Sequence, residues 1–329
     1  MIAMKRCTIM NMVLAAMLSS AIAAPGRAGP GPLDLERTIS LGRVTGRIDH
    51  MAIDLKRGRL FVAELGNNAV GVVDLASHRV LEQITGFDEP QGLAYDPMAD
   101  RLYVANGGDG SVRIFSAELS PLGAVRLGED ADNIRVDGAR ILVGYGNGAI
   151  AVLQNGEKIA DLPLAAHPES FQVDPVQGRL FVNEPKARRI AVIDSTTGRQ
   201  LGSWRVPGLD ANFPMAFDAA GHRLFVIYRN RPSLAVFDTT DGTLRGQAPT
   251  CGDADDIFFD GTRSRIYVSC GAGALVVVSA ADDRLAEVAR LPTGKGARTS
   301  LLVPELDRLF VAIPAAAGKL AEIWVYRPH

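Results

Sequence analysis

The sequence predicts an all-β fold, a seven-bladed β-propeller whose blades each contain four antiparallel strands. The main observation is a block of about 40 residues that recurs seven times along the chain. Each copy contains short runs of β-branched and aromatic residues, separated by turns rich in Gly, Asp and Asn. Helical periodicity is nearly absent. Four short strands in every such block are typical of a propeller blade.

Each copy divides into four strands in chain order. The first strand ends in Asp, as in "HMAIDL" and "GLAYDP", and the second begins with Arg, as in "RLFVAE" and "RLYVAN". The third contains "VVD" or a similar run, and a shorter fourth strand such as "RVLEQI" closes most copies. Because they recur, the Asp and the Arg are predicted to be structural, the Asp accepting turn hydrogen bonds. The repeated Asp residues are Asp54, Asp96, Asp137, Asp174, Asp218 and Asp260, with Pro304 in the seventh copy.

The seventh copy ends after its third strand, at Pro328 and His329. The segment "RTISLGRV", residues 37–44, resembles a fourth strand and precedes the first copy. We therefore expect it to pair with the last blade and close the ring, which leaves no exposed sheet edge. Residues 37–329 then form one domain, expected to be monomeric.

The N-terminal residues have the pattern of a signal peptide. Lys5 and Arg6 precede a mostly apolar run over 9–22, and small residues follow up to Ala24. The expected organisation is a signal peptide over 1–24 and a flexible leader over 25–36, with export to the periplasm or the medium. No later apolar run is long enough to span a membrane. The formal net charge is −2 and no basic run occurs, so nucleic acid is not an expected partner.

Cys251 and Cys270 are the two cysteines outside the signal peptide. In an exported protein they form either a disulfide or two free buried thiols, and their separation along the chain does not decide between these.

The strands "RLYVAN", "RLFVAE" and "RLFVNE", each followed by "VVD" or "VID" and a turn, resemble the YVTN-type repeats of exported, YncE-like β-propellers. The resemblance extends over residues 37–327. It implies the propeller fold. It implies no particular activity, because the repeated residues are those that build blades.

Candidate site residues are those that differ between copies. Four and five residues before the repeated Asp, the chain is mostly polar, and this position marks one end of the central channel. Five carboxylates are expected to converge there, together with two histidines and with an arginine that just precedes the first strand of the seventh copy. The predicted channel-mouth residues are Asp49, His50, Gln91, Asp132, Asn133, His167, Glu169, Asp255, Asp256 and Arg298.

Three interpretations of this mouth remain open. Its groups cap strands and hold ordered water, or they bind a cation, or a carboxylate and a histidine act in catalysis. For a cation the candidate ligands are Asp132, Glu169 and Asp255, and a divalent ion such as calcium suits oxygen ligands. Two histidines beside carboxylates could instead hold a transition metal. No motif for another cofactor occurs: G-x-S-x-G, H-E-x-x-H, C-x-x-C and the P-loop are all absent.

The sequence thus favours an exported binding or scaffold protein that offers a polar, acidic channel mouth to a small ligand, a cation or a periplasmic protein. One alternative is a propeller-type lactonase, lyase or hydrolase that uses a carboxylate–histidine pair at the mouth. Another is an accessory protein of a periplasmic redox system. The lack of a catalytic motif favours binding over catalysis.

Overall fold

The strands form seven sheets of four strands each, so the predicted seven-bladed propeller is confirmed. The computed structural model describes Met1 and residues 31–329. Nearly all of the predicted signal peptide and the leader up to residue 30 lie outside the described residues. In each blade the strands follow one another in sheet order from the channel outwards, except that the last blade takes its outermost strand from the beginning of the chain.

The strands have the following bounds. The closing strand is β1 (Leu33–Gly42). Blade 1 contains β2 (Met51–Asp54), β3 (Arg59–Glu64), β4 (Ala69–Asp74) and β5 (Arg79–Thr85). Blade 2 contains β6 (Pro90–Asp96), β7 (Arg101–Asn106), β8 (Ser111–Ser116) and β9 (Pro121–Arg126). Blade 3 contains β10 (Ala131–Asp137), β11 (Arg140–Tyr145), β12 (Ala149–Gln154) and β13 (Glu157–Pro163).

The remaining four-stranded blades follow the same order. Blade 4 contains β14 (Ser170–Asp174), β15 (Arg179–Glu184), β16 (Arg189–Asp194) and β17 (Gln200–Trp204). Blade 5 contains β18 (Asp210–Asp218), β19 (Arg223–Asn230), β20 (Ser233–Asp238) and β21 (Leu244–Pro249). Blade 6 contains β22 (Ala254–Asp260), β23 (Arg265–Cys270), β24 (Ala274–Ser279) and β25 (Glu287–Pro292). Blade 7 contains β26 (Ser300–Val303), β27 (Arg308–Ile313) and β28 (Ala321–Pro328), and single 3-10 turns occur at Leu65–Asn67, Pro185–Ala187 and Pro304–Leu306.

The repeated Asp and Arg have the structural roles expected of them. The Asp54 carboxylate accepts a hydrogen bond from the Arg57 N–H in the following turn (3.1 Å). In blades 3, 4 and 5 the repeated Arg forms an ion pair with the repeated Asp. In blade 1 the corresponding Arg59 instead donates to the Ala117 carbonyl of blade 2 (2.9 Å). The repeat therefore stabilises both the turn within a blade and the contact between blades.

The hydrophobic core consists of layers between adjacent blades. Met51 and Ile53 on the first strand of blade 1 pack with Ile39, Val303 and Phe310 of the last blade. Ala52, the residue between them, packs instead in the layer between blades 1 and 2. The period-2 alternation of a strand explains this division.

The closing strand pairs antiparallel with β28, from Leu33 opposite Pro328 to Gly42 opposite Ala321. It begins four residues before the predicted start at Arg37, so the expected flexible leader does not extend over 33–36. The physical reason is burial: Leu33 is 5% exposed and belongs to the core layer that includes Tyr267. Predicted closure by an N-terminal strand is thus consistent with the observed pairing, with earlier bounds.

A β-bulge interrupts the pairing between the third and fourth strands of every blade. In blade 1 the shift lies between Val72 and Val73, and Leu81 is the extra residue on the outer strand. Leu122, Ile159 and Leu201 occupy the same place in the next three blades. Bulges increase the local twist of a sheet. The side chains of these residues are exposed at the rim, which explains why apolar residues recur at the surface.

Cys251 and Cys270 form a disulfide, with their Cα atoms 5.9 Å apart. The bond ties the loop before β22 to the end of β23, near the mouth of the channel. We expect Cys251→Ser with Cys270→Ser to lower the free energy of unfolding by about 3 kcal/mol. The disulfide joins residues 19 positions apart, and the loop that it closes restricts the unfolded chain. Urea unfolding with and without a reductant measures this. The wild type should lose stability on reduction and the double variant should not; equal stability of reduced and oxidised wild type would contradict it.

Candidate functional site

The first strands begin at one end of the channel, and a polar recess of about 240 Å³ lies there. We call it the mouth recess. Loop residues just before β2, β10 and β14 contribute most of its charged groups. It is lined by Arg47, His50, Gln91, Asp130, Asp132, Asn133, His167, Glu169, Ser170, Phe213, Arg229 and Asp255.

Seven of the ten residues predicted for the mouth line this recess. Of the others, Asp49 is fully buried behind it, and Asp256 lines the adjoining channel. Arg298 lines neither cavity and forms an ion pair with Asp253 (2.7 Å). The register of the repeat thus brought most of these residues to one place.

His50 lies between two carboxylates. Its Nδ1 is 3.3 Å from Asp256, and its Nε2 is 3.8 Å from Asp49. Burial disfavours the charged imidazole, but Asp256 and Asp49 outweigh it and raise the pKa of His50 to about 10. His50 is therefore a cation at neutral pH, which donates hydrogen bonds and has no lone pair with which to accept a proton.

Asp49 has no exposed surface, and Arg47 pairs with it at 2.9 Å. Neither carboxylate oxygen accepts a well-aligned hydrogen bond within the described part of the chain. Burial raises the pKa of Asp49 to about 6, although the His50 and Arg47 charges lower it. Asp49 acts on the mouth through these two cations, since it does not line the recess itself.

Asp255 is held by two arginines. Arg47 lies 3.3 Å from one oxygen, and Arg229 hydrogen-bonds to the other. The Arg229 guanidinium also donates to the Ala254 carbonyl (2.7 Å) and stacks on the Phe213 ring, 3.7 Å from its centroid. Both oxygens of Asp255 therefore already pair with cations, so the structure does not support the expectation that it is a free metal ligand.

Asp132, His167 and Glu169 form the cluster with the geometry of a cation site. One potential ligand atom from each lies within 4.8 Å of the others. Burial raises the pKa of the Asp132 carboxyl well above its usual range; the His50 charge opposes this, and nearby carboxylates add to it. Burial likewise raises the pKa of Glu169. The two acidic groups are thus close together in a place where negative charge is poorly solvated.

Local backbone features place this cluster. Asp132 is at the start of β10, and a Cβ on the neighbouring Gly92 would lie 1.9 Å from the Asp132 carbonyl oxygen. Glycine at position 92 therefore permits the close approach of the two first strands. His167 and Glu169 flank Pro168 in the loop before β14. The His167 ring is 7% exposed, and its Nδ1 lies 2.6 Å from the Gly146 carbonyl oxygen.

Sequence reasoning did not predict Arg47 or Asp130 for the site, and it placed Arg229, at the end of a second strand, on the same face without naming it a site residue. Arg47 stands two residues before Asp49, and Arg229 follows the buried part of β19. Arg47 and Arg229 have no equivalent in the other copies of the repeat, and this difference between copies is the signal that could have identified both. Their pairing with Asp255 joins loops that are far apart in sequence, and no local pattern encodes it.

The recess continues into the channel, where a cavity of about 440 Å³ lies between the first strands. Both cavities share His50, Asn133, Ser170 and Asp255. Deeper walls are largely apolar, with aromatic side chains from several blades. The aromatic wall residues are Tyr95, Phe217, Phe258 and Phe259.

Similarity to known proteins is confined to architecture. No family model matches the chain, and no curated protein does. A chain of hydrazine synthase from Kuenenia stuttgartiensis is similar, with a TM-score of 0.72 and 17% identity over 84% of this chain and 94% of that one. A chain of the mitotic checkpoint complex is similar, with a TM-score of 0.76 and 14% identity over 97% of this chain and 99% of that one.

In all, 1769 solved chains match this structure, so the match identifies a common propeller scaffold and no activity. Within the residues that the structure describes, no helix has the length and apolar character needed to cross a membrane.

Proposed function

We propose that this chain is an exported, periplasmic propeller of the YVTN (YncE-like) kind that binds a divalent cation at its channel mouth. The observation that carries the proposal is the cluster of Asp132, His167 and Glu169, with ligand atoms within 4.8 Å of one another. The signal-peptide pattern and the repeat support export and the family.

The neighbouring charges support this assignment. Asp49 and Asp256 contact the His50 cation, and Asp255 contacts two arginines. Within residues 31–329, Asp132 has no ion pair and no side-chain hydrogen bond, and the nearest cation to Glu169 is beyond ion-pair distance. The remaining acidic group of the recess, Asp130, is half exposed and lies 3.7 Å from His167 Nδ1. Asp132 and Glu169 are thus the poorly solvated carboxylates of the recess that lack an ion-pair partner, and a bound cation would balance their charge.

The histidine of the cluster has one ring nitrogen held by the backbone. A carbonyl oxygen can only accept, so His167 Nδ1 donates its proton to Gly146, which leaves Nε2 as the ring nitrogen that can bind a metal. This arrangement, with the second ring nitrogen fixed by a backbone carbonyl, is common among metal-binding histidines. One imidazole with two carboxylates suits a transition metal such as Zn²⁺ or Mn²⁺ better than calcium, which prefers oxygen ligands alone.

Binding is favoured over carboxylate–histidine catalysis by the state of His50. A general base must accept a proton near neutral pH. His50 is already protonated there, because Asp256 and Asp49 raise its pKa to about 10. His50 therefore cannot act as that base, and the Asp49 carboxylate, which has no exposed surface and does not line the recess, does not reach a ligand there.

The test is calorimetric titration of the metal-stripped protein with Zn²⁺, Mn²⁺ and Ca²⁺, with elemental analysis of the product. We expect one ion per chain, tighter binding of Zn²⁺ or Mn²⁺ than of Ca²⁺, and a loss of tenfold or more in affinity in His167→Ala. His78→Asn is the matched control, since it removes another imidazole and Asn tolerates the positive φ of 58° there. Wild-type protein without stoichiometric metal, or equal affinity in His167→Ala, would overturn the proposal.

A further inference from the structure

The first strand of blade 3 carries an arginine that does not line the mouth recess. Arg135 stands two residues before the repeated Asp137 and lines the channel cavity. At the same position the first strands of blades 1, 2 and 5 have alanine: Ala52, Ala94 and Ala216. The small residues leave the channel open where this one long, charged side chain enters it.

The Arg135 guanidinium has few partners. Its carbon lies 5.6 Å from the centroid of the Phe171 ring, and Nη1 donates to the Ile134 carbonyl (2.8 Å). No carboxylate oxygen in residues 31–329 lies within 4.0 Å of a guanidinium nitrogen of Arg135, so the side chain forms no ion pair there. By contrast, Arg179 and Arg223 also lie over phenylalanine rings, but each pairs with the repeated Asp of its own blade. A guanidinium has five N–H donors, so most of those of Arg135 remain unused.

An uncompensated charge in such a place is costly. Burial lowers the pKa of Arg135, and the more distant Asp256 and Asp132 carboxylates only partly oppose this. The Arg135 side chain is part-buried, and proteins rarely withdraw a charge from water without a partner, because the lost hydration is not recovered. A partner for this guanidinium is an anion, and the planar fork of donors fits a carboxylate in two-point contact.

The surroundings restrict the rest of the ligand. The cavity of about 440 Å³ is within the usual range for small-molecule sites. Its walls include Tyr95, Phe217, Phe258 and Phe259. Gln172 also lines it, and because its Nε2 donates to the Met215 carbonyl (2.8 Å), its oxygen is left as an acceptor.

We propose that the channel binds a small organic carboxylate, whose carboxylate group pairs with Arg135 and whose apolar body packs against the aromatic walls. This site is distinct from the cation site, because none of Asp132, His167 and Glu169 contributes to it. It goes beyond the proposed function, and either site can exist without the other.

The test is calorimetric titration of the mature protein with benzoate and with benzamide, which has the same shape and no charge. We expect benzoate to bind, benzamide to bind at least tenfold more weakly, and Arg135→Met to lose the benzoate affinity. Arg126→Met, which removes an exposed arginine on β9, is the matched control and should bind as the wild type does. His167→Ala should still bind benzoate and Arg135→Met should still bind metal, so failure of one site is distinguished from failure of the other.

Thermal unfolding provides a second readout. Without ligand, Arg135→Met should have a Tm about 2–4 °C above that of the wild type, since an unpaired, part-buried charge is removed. Excess benzoate should raise the Tm of the wild type and leave that of the variant unchanged. Should Arg135→Met fail to fold, Arg135→Lys keeps the charge without the fork and should weaken benzoate binding. Equal binding of benzoate and benzamide, no benzoate binding by the wild type, or full affinity in either variant would overturn the proposal.

Discussion

Deleting residues 33–42 is expected to abolish the single cooperative unfolding transition of the propeller. These residues are β1, the strand that completes the last blade by pairing with β28. Without it, β28 becomes an exposed sheet edge. The chain before blade 1 then no longer pairs with the last blade, so no strand holds the first and last blades together. The change is larger than the loss of one strand elsewhere, because it opens the ring itself.

The buried side chains of β1 set the size of the effect. Leu33, Ile39 and Leu41 are each 5% exposed or less, and their burial contributes about 2 kcal/mol each. The pairing with β28 also brings His329 N–H within 3.1 Å of the Pro32 carbonyl, and Arg265 hydrogen-bonds to the carbonyls of Pro32 and His329. A folded domain is stable by about 5–15 kcal/mol, so this loss is enough to unfold most of the chain.

Calorimetry and circular dichroism measure the outcome, with a chain that begins at Gly31 as the control. That control keeps β1 and should unfold in one sharp transition, whereas the chain that begins at Arg43 should unfold broadly or not at all. A synthetic peptide of residues 31–42, added to the shorter chain, should restore part of the transition. An unchanged transition in the shorter chain would mean that closure by β1 does not hold the ring together.

The repeat made this architecture predictable because each blade encodes the same turn and the same alternation. Met51 and Ile53 could be assigned to a layer between blades from their spacing alone, and the structure confirms it. The start of β1 was harder, because Leu33 precedes the segment that resembles a fourth strand. Its place depends on packing near Tyr267, a residue more than 200 positions away.

The sequence predicts which residues lie at the candidate site but not which of them pair with one another. Alignment of the copies placed His50, Asp132 and Asp255 near one opening, since equivalent strands begin at equivalent heights in the ring. It could not show that Asp255 pairs with two arginines, whereas Asp132 remains beside His167. Those differences depend on loop conformations that are specific to each blade and bring together residues distant in sequence.

Position in the repeat also does not reveal the partners of two glutamates, Glu64 in blade 1 and Glu184 in blade 4. They occupy the same position of the repeat. Both end the second strand of their blade, and both are fully buried. Glu184 pairs with Arg189 across the strands and accepts hydrogen bonds from the Ala165 and Ala166 N–H groups (2.7 and 2.9 Å). Glu64 has Ala69 in place of that arginine.

Glu64 has one partner, the Gln83 side chain, which donates to one oxygen at 2.7 Å; the other oxygen is unpartnered. Burial raises the pKa of Glu64 to about 7, although the Gln83 hydrogen bond lowers it. Between its ordinary pKa of 4.5 and about 7, the folded chain therefore binds a proton that the unfolded chain has lost. The stability contribution of this group is then greatest at low pH and is lost as the pH rises to about 7.

We therefore expect substitutions of the two glutamates to have opposite effects at pH 8. Glu64→Gln should raise the free energy of unfolding by about 2 kcal/mol, since the difference between 4.5 and 7 corresponds to about 3 kcal/mol and the new amide loses part of it. The gain should shrink to near zero as the pH falls below 4.5. Glu184→Gln should lower the free energy of unfolding by about 3–5 kcal/mol at both pH values, because it leaves Arg189, whose side chain is 14% exposed, without its counter-charge.

Urea unfolding of the wild type and both variants at pH 4.5 and pH 8 measures these differences, and each variant is the matched control for the other. The substitution, the strand position and the burial are the same, so any difference in sign comes from the partners around the carboxylate. A loss of stability in both variants at pH 8 would mean that Glu64 is charged and well solvated in the folded state. A gain that did not depend on pH would mean that packing, and not the carboxyl charge, limits the stability of blade 1.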